Sequence, residues 1–140
     1  MKQAIIFQPF LATMILAMVV WGYMDGRRLP FILASEPNPK QVTPAEFARL
    51  SPPKVSNPSD NLKNQFELPT IFYALVLYVF MTKQVDAAYV GTAWGFFVFR
   101  ALHSLVHRTF NHIPLRFYLY VISSVGLWFM VLRAAIVGIL

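Results

Sequence analysis

The sequence predicts an all-α integral membrane protein, a bundle of four spanning helices. Three observations carry that expectation. Hydrophobic residues make up 57% of the chain and charged residues only 13%, against about 25% charged in an ordinary soluble domain, and mean hydropathy is +0.54. Four apolar stretches, at about 3–24, 61–82, 86–107 and 115–140, each approach the ~20 residues needed to cross a bilayer. Connections between the last three are short, which favours antiparallel neighbours in one bundle. With 140 residues and no internal repeat, the chain reads as a single membrane domain over 1–140.

The first stretch follows Lys2 and runs from Ala4 to Tyr23. It exceeds the ~7–15 residues of a signal-peptide core, and no small-x-small cleavage site precedes Asp25, so it reads as a retained helix. The segment 25–60 differs sharply, with prolines at Pro30, Pro37, Pro39, Pro44, Pro52, Pro53 and Pro58. It is expected to be a Pro-rich loop, ordered rather than floppy, because each proline fixes φ and lowers the entropy lost on ordering. Within it Thr43, Pro44, Ala45 and Glu46 form a capping box with Pro at the first helical position, predicting a short surface helix over Pro44–Leu50.

No cysteine is present, which excludes disulfides, cysteine nucleophiles and thiolate metal sites. Any thiol chemistry must come from a bound molecule. The formal charge of +6 points to the membrane rather than to nucleic acid, because the basic residues gather beside the spans. Arg27, Arg28, Lys40, Arg49 and Lys54 lie in the first connection, Lys63 opens the second span, and Arg108 and Arg116 flank the third connection. Only Lys2, Lys83 and Arg133 stand opposite. Loops 1 and 3 are therefore expected to be cytoplasmic, with both termini on the far side. Trp21, Tyr23, Tyr89, Trp94, Tyr118 and Tyr120 fall toward span ends, where interfacial aromatics belong.

Polar groups inside the apolar stretches mark the candidate site, because an ionisable side chain costs at least ~2.5–3.5 kcal/mol at the centre of a span. In the second span Asp60, Asn64, Glu67 and Ile71 share one helix face, and Pro69 predicts a kink, since its ring clashes with the carbonyl of Gln65. In the third span Arg100, His103 and His107 form one stripe. Glu67 and Arg100 lie at a common depth, on the order of 10 Å inside the cytoplasmic end at ~1.5 Å per residue, which suggests an ion pair. Such a pair could simply lock two helices, or it could belong to a polar pocket for an anionic or zwitterionic ligand. His103 and His107 also admit a metal or haem reading, though zinc needs three or four ligands and no further ligand accompanies them. No metal is expected.

These residues resemble the family of membrane-associated proteins in eicosanoid and glutathione metabolism (MAPEG), which includes the microsomal glutathione transferases. Asn64, Glu67 and Pro69 match the family's Asn-x-x-Glu and following Pro in the second helix. Arg100 and His103 match its Arg-x-x-His in the third, and Arg116, sixteen positions after Arg100, its Arg at the start of the fourth. The resemblance covers the whole chain. It implies a homotrimer of four-helix bundles in a bilayer, here a bacterial inner membrane, with glutathione as co-substrate bound between subunits. Lys63 would meet a glutathione carboxylate, Asn64 and Glu67 its peptide and amine portions, and Arg100, His103 and His107 would line the pocket. Arg116 would stabilise the thiolate, which a lipophilic small-molecule substrate reaches from the bilayer.

Four positions depart from the family pattern. Asp60 stands where several catalytic members carry Arg, Lys63 where Arg is usual, His107 where Tyr is common, and Phe117 where some members have a hydroxyl. Two expectations therefore stand together: a glutathione-dependent membrane transferase or peroxidase, and a non-catalytic scaffold or accessory subunit with Glu67–Arg100 as a structural ion pair.

Overall fold

The computed structural model describes residues 2–35 and 43–139, and among them the chain is helical with no strand. A 3-10 turn over Gln3–Ile6 leads into α1 (Phe7–Ser35), followed by α2 (Pro44–Leu50), α3 (Pro53–Asn64), α4 (Leu68–Met81), α5 (Ala87–Arg108) and α6 (Ile113–Ile139). Two stretches, Gln3–Ala34 and Ile113–Gly138, are long and apolar enough to cross a membrane by length and composition. The 22 residues of α5 span about 33 Å at ~1.5 Å per residue, comparable to the ~30 Å hydrocarbon core.

The helices depart from the expected segments in two places. The charges of Asp25, Arg27 and Arg28 mark a change of environment, not a helix end, and α1 continues through them and through Pro30 to Ser35. Much of the expected loop is thus helical. The second expected span is two helices, because Pro52 and Pro53 start α3 well before Asn61, with Pro at the first turn where its missing N–H costs nothing. The stretch 36–42 of the expected loop, with Pro37, Pro39 and Lys40, lies outside the described residues.

The capping box forms as the residues dictate. Thr43 donates its backbone N–H and its hydroxyl to the Glu46 carboxylate (2.9 and 2.8 Å), and Glu46 N–H donates to Thr43 Oγ1 (3.3 Å). Those two donations hold the Glu46 carboxyl below its ordinary range.

At Pro69 the expected kink is a full interruption. Proline at the second position of α4 denies Gln65 its i+4 donor, and residues 65–67 turn before α4 begins. Beyond the break, α4 buries Leu68, Pro69, Phe72, Leu75, Val76 and Val79, an i, i+3/i+4 stripe. Phe72 stacks on Phe96 of α5, centroids 4.5 Å apart at 19°, and Leu127, Met130 and Ala134 of α6 complete this core. Lys83, at φ 59°, ends α4 in a Schellman turn, with Gln84 N–H on the Val79 carbonyl (3.0 Å) and Lys83 N–H on that of Phe80 (3.1 Å).

The α4–α5 end is fastened by polar contacts. Asp86 caps α5 by accepting from Tyr89 N–H (3.0 Å) and also pairs with Arg133 of α6, Nη1 to Oδ1 at 2.8 Å. Gln3 exchanges hydrogen bonds with the backbone of Val85 (3.0 and 3.3 Å), so the N-terminus, the α4–α5 connection and α6 meet there. Asp86→Ala removes both cap and pair and is expected to lower stability by roughly 1–2 kcal/mol. Asp86→Asn keeps the cap and should cost about half as much; thermal unfolding in detergent reads the difference.

Candidate functional site

The buried face of α5 changes character along its length. Tyr89, Ala93 and Phe96 come first, followed on the same face by Arg100, His103, Ser104 and His107, all buried. Arg100 is 0% exposed. Its Nη2 donates to the backbone carbonyl of Asn64, the carbonyl freed where α3 stops. A cation at a helix C-terminus is favoured by the macrodipole as well as by the bond itself. The guanidinium also lies 5.5 Å from the Tyr120 ring centre, and the rings of Tyr120, His103 and His107 follow one another at 6.1 Å.

Behind Arg100 runs a second polar connection. Gln65 Nε2 donates to Ser104 Oγ (2.7 Å), Ser104 Oγ donates to Asn61 Oδ1 (3.1 Å), and Asn61 Nδ2 donates to the Ser104 carbonyl (3.3 Å). All three side chains are buried. Several atoms nearby remain without a partner: Nε and Nη1 of Arg100, Nδ1 of His103 and both ring nitrogens of His107. Buried polar atoms are rarely left unpaired, so this cluster has spare capacity to bind an acceptor or to exchange protons.

The sequence-predicted residues divide into two sets. Arg100, His103 and His107 come together in the interior, and Asn64 joins them through its carbonyl. Arg116, half-buried at the start of α6, holds Asn111 through Nη1 (2.7 Å). Lys63 and Glu67 instead face outward. Lys63 pairs with Asp60 at 3.1 Å, their side chains 72% and 58% exposed.

The expected Glu67–Arg100 ion pair is not formed within the chain. Interruption of the helix turns Glu67 to the surface as the residue before α4, while Arg100 takes the Asn64 carbonyl inside. Matching depth did not ensure matching direction. Tyr120 and the Asn61–Gln65–Ser104 connection were missed, although Asn61 and Gln65 are four apart, as are Arg100 and Ser104, the spacing that places side chains on one face. No three His, Asp or Glu side chains among the described residues group as metal ligands.

An all-helical bundle with spanning helices and a buried cation–imidazole cluster at one end defines a membrane protein with an internal polar site. The MAPEG family model matches residues 6–136, nearly the whole chain, and the protein belongs to the MAPEG family, whose members are membrane proteins of eicosanoid and glutathione metabolism. No curated protein and no solved structure matches it significantly.

Removing the central hydroxyl of the polar connection tests its weight. Ser104→Ala strands Gln65 and Asn61 and is expected to cost roughly 1–3 kcal/mol. Combined with Gln65→Leu the loss should be clearly less than additive, by about 0.5–1 kcal/mol in a double-mutant cycle read from unfolding midpoints.

Proposed function

We propose that the protein is a glutathione-dependent membrane enzyme, a transferase or peroxidase acting on lipophilic electrophiles. The observation that carries this reading is the cluster of Arg100, His103 and His107, buried with five side-chain nitrogens unpartnered and with Arg116 beside it. In a protein of this family without a cysteine of its own, the thiol arrives with glutathione.

The outward residues take the peptide. Glu67 and Lys63 present a carboxylate and an ammonium on the exposed side of the α3–α4 break, with the half-buried Asn64 between them, a set complementary to the amine, carboxylates and amide of glutathione. Because these groups face away from the interior cluster, a neighbouring copy in a homotrimer closes the site. Arg116 favours loss of the thiol proton by stabilising the thiolate, and His107, whose ring nitrogens have no partner, takes up that proton. The sulfur then attacks the electrophilic carbon, and the displaced group leaves with its bonding pair; in a conjugate addition the proton returns to the substrate instead. Arg100 holds the break through the Asn64 carbonyl, and His103 packs between the rings of His107 and Tyr120. The excess of basic residues at this end supports a cytoplasmic orientation, in what we take to be a bacterial inner membrane.

A second reading has its own observation. Arg100 is enclosed, bonded to Asn64 and packed by Tyr120, which suits a structural latch in a non-catalytic scaffold. Calorimetric titration of detergent-purified protein with glutathione separates the two. Under the enzyme reading glutathione binds, Glu67→Gln weakens it about tenfold or more through loss of a charge-assisted contact, and Arg116→Ala abolishes the ultraviolet thiolate band of the bound peptide. Absence of binding at millimolar glutathione, with Arg100→Leu unfolding the protein, supports the scaffold.

A further inference from the structure

At the basic end of the bundle lies a cleft that the polar cluster does not use. It sits between α1, α3 and α5, encloses about 270 Å³, and is walled by Leu16, Val19 and Val20 on one side and Ala101 and Leu105 on the other. Its floor is the Asn61–Ser104 pair. Those side chains bond to each other (3.1 Å), so the floor makes no polar demand on an apolar occupant. Val19 and Leu105 are 50% and 52% exposed, and the cleft therefore opens sideways along the bundle.

The outer end of this cleft is cationic. Tyr23 and Arg108 line it and also line an adjoining polar cleft of about 280 Å³, which Arg27, Asn57 and His107 complete. Arg108 stands 4.6 Å and Arg27 5.5 Å from the centre of the same Tyr23 ring. Both arginines are exposed, and no carboxylate among the described residues pairs with either. Two guanidiniums gathered on one ring at the rim of an apolar trough call for a counter-anion attached to a hydrocarbon chain.

We propose that the joined clefts bind an anionic phospholipid. Its phosphate bridges Arg27 and Arg108, and one acyl chain lies between the Leu16–Val20 wall and the Ala101–Leu105 wall. Guanidinium forks match phosphate oxygens in pairs, and uncompensated cations next to a bilayer select lipids of net negative charge. The acyl trough shares none of the residues of the proposed thiol site, and the phosphate end touches it only at His107, since Lys63, Asn64, Glu67 and Arg116 line neither cleft.

The test uses delipidated protein in detergent, titrated with dioleoyl-phosphatidylglycerol and with dioleoyl-phosphatidylcholine, with bound lipid counted by native mass spectrometry. Phosphatidylglycerol is expected to bind roughly tenfold more tightly. The exposed double variant Arg27→Gln/Arg108→Gln should lose that preference, and Val19→Trp, which fills the trough, should weaken both lipids. Equal affinity for the two lipids, an unchanged preference in the double variant, or undiminished binding in Val19→Trp would each overturn the proposal. So would full displacement of phosphatidylglycerol by millimolar inorganic phosphate, because the headgroup alone would then suffice. Glutathione binding by the same variants should stay unchanged, so the two proposals fail or stand separately.

Discussion

The interruption between α3 and α4 is the constraint on which the polar half of the structure depends. Pro69 cannot donate to Gln65, so one expected helix becomes two, with an open carbonyl end at Asn64 and an open amide end at Leu68. Each new end carries about half an elementary charge, negative at the first and positive at the second. Arg100 lies against the negative end and Glu67 stands at the positive one. Arg100 takes a carbonyl of the negative end, an arrangement worth up to ~2 kcal/mol for a sheltered cation, while Glu67 sits at the positive end without a side-chain capping bond. Glu67 is consequently free on the surface, and Arg100 can be wholly enclosed without a carboxylate.

Enclosure of Arg100 then organises α5. An isolated buried guanidinium is very costly, and the structure lowers that cost with the Asn64 carbonyl and the Tyr120 ring. The aromatic packing of Phe72 on Phe96 lies one turn away on the same face, so the polar section is sealed from the apolar core by an aromatic layer. At the opposite end of α5 the Asp86–Arg133 pair and the Gln3–Val85 exchange fix the register of α6 and the N-terminus. The bundle is pinned by polar contacts at both ends of α5 and by apolar packing between them.

Much of this was legible in the residues. The 3.6-residue period placed Arg100, His103 and His107 on one face, and the Thr43–Glu46 box located α2, because both signals are local and need no tertiary context. The break was legible only as a kink, since a proline reports the loss of one hydrogen bond and not how far the chain turns afterward. Helix ends are hidden in the residues for a related reason. Asp25, Arg27 and Arg28 signal departure from hydrocarbon, yet a helix satisfies its own backbone in water as well as in lipid, so α1 continues. The Asn61–Gln65–Ser104 connection was hidden because amides and hydroxyls near a span end look the same whether they meet water or each other; only the packing of α3 against α5 decides.

The departures from the family pattern acquire a physical sense in this geometry. Asp60 engages Lys63 at the surface, so the two charges neutralise each other in part. That exposed pair contributes little stability, ~0–1 kcal/mol, and a ligand carboxylate able to compete for Lys63 would displace it at small cost. His107 brings a titratable ring where a tyrosine is common, and both of its nitrogens are unpartnered. A weak surface pair outside and an uncommitted imidazole within leave both positions able to take a new partner. The enclosed Arg100, bonded to Asn64 and packed by Tyr120, fixes the frame around both positions.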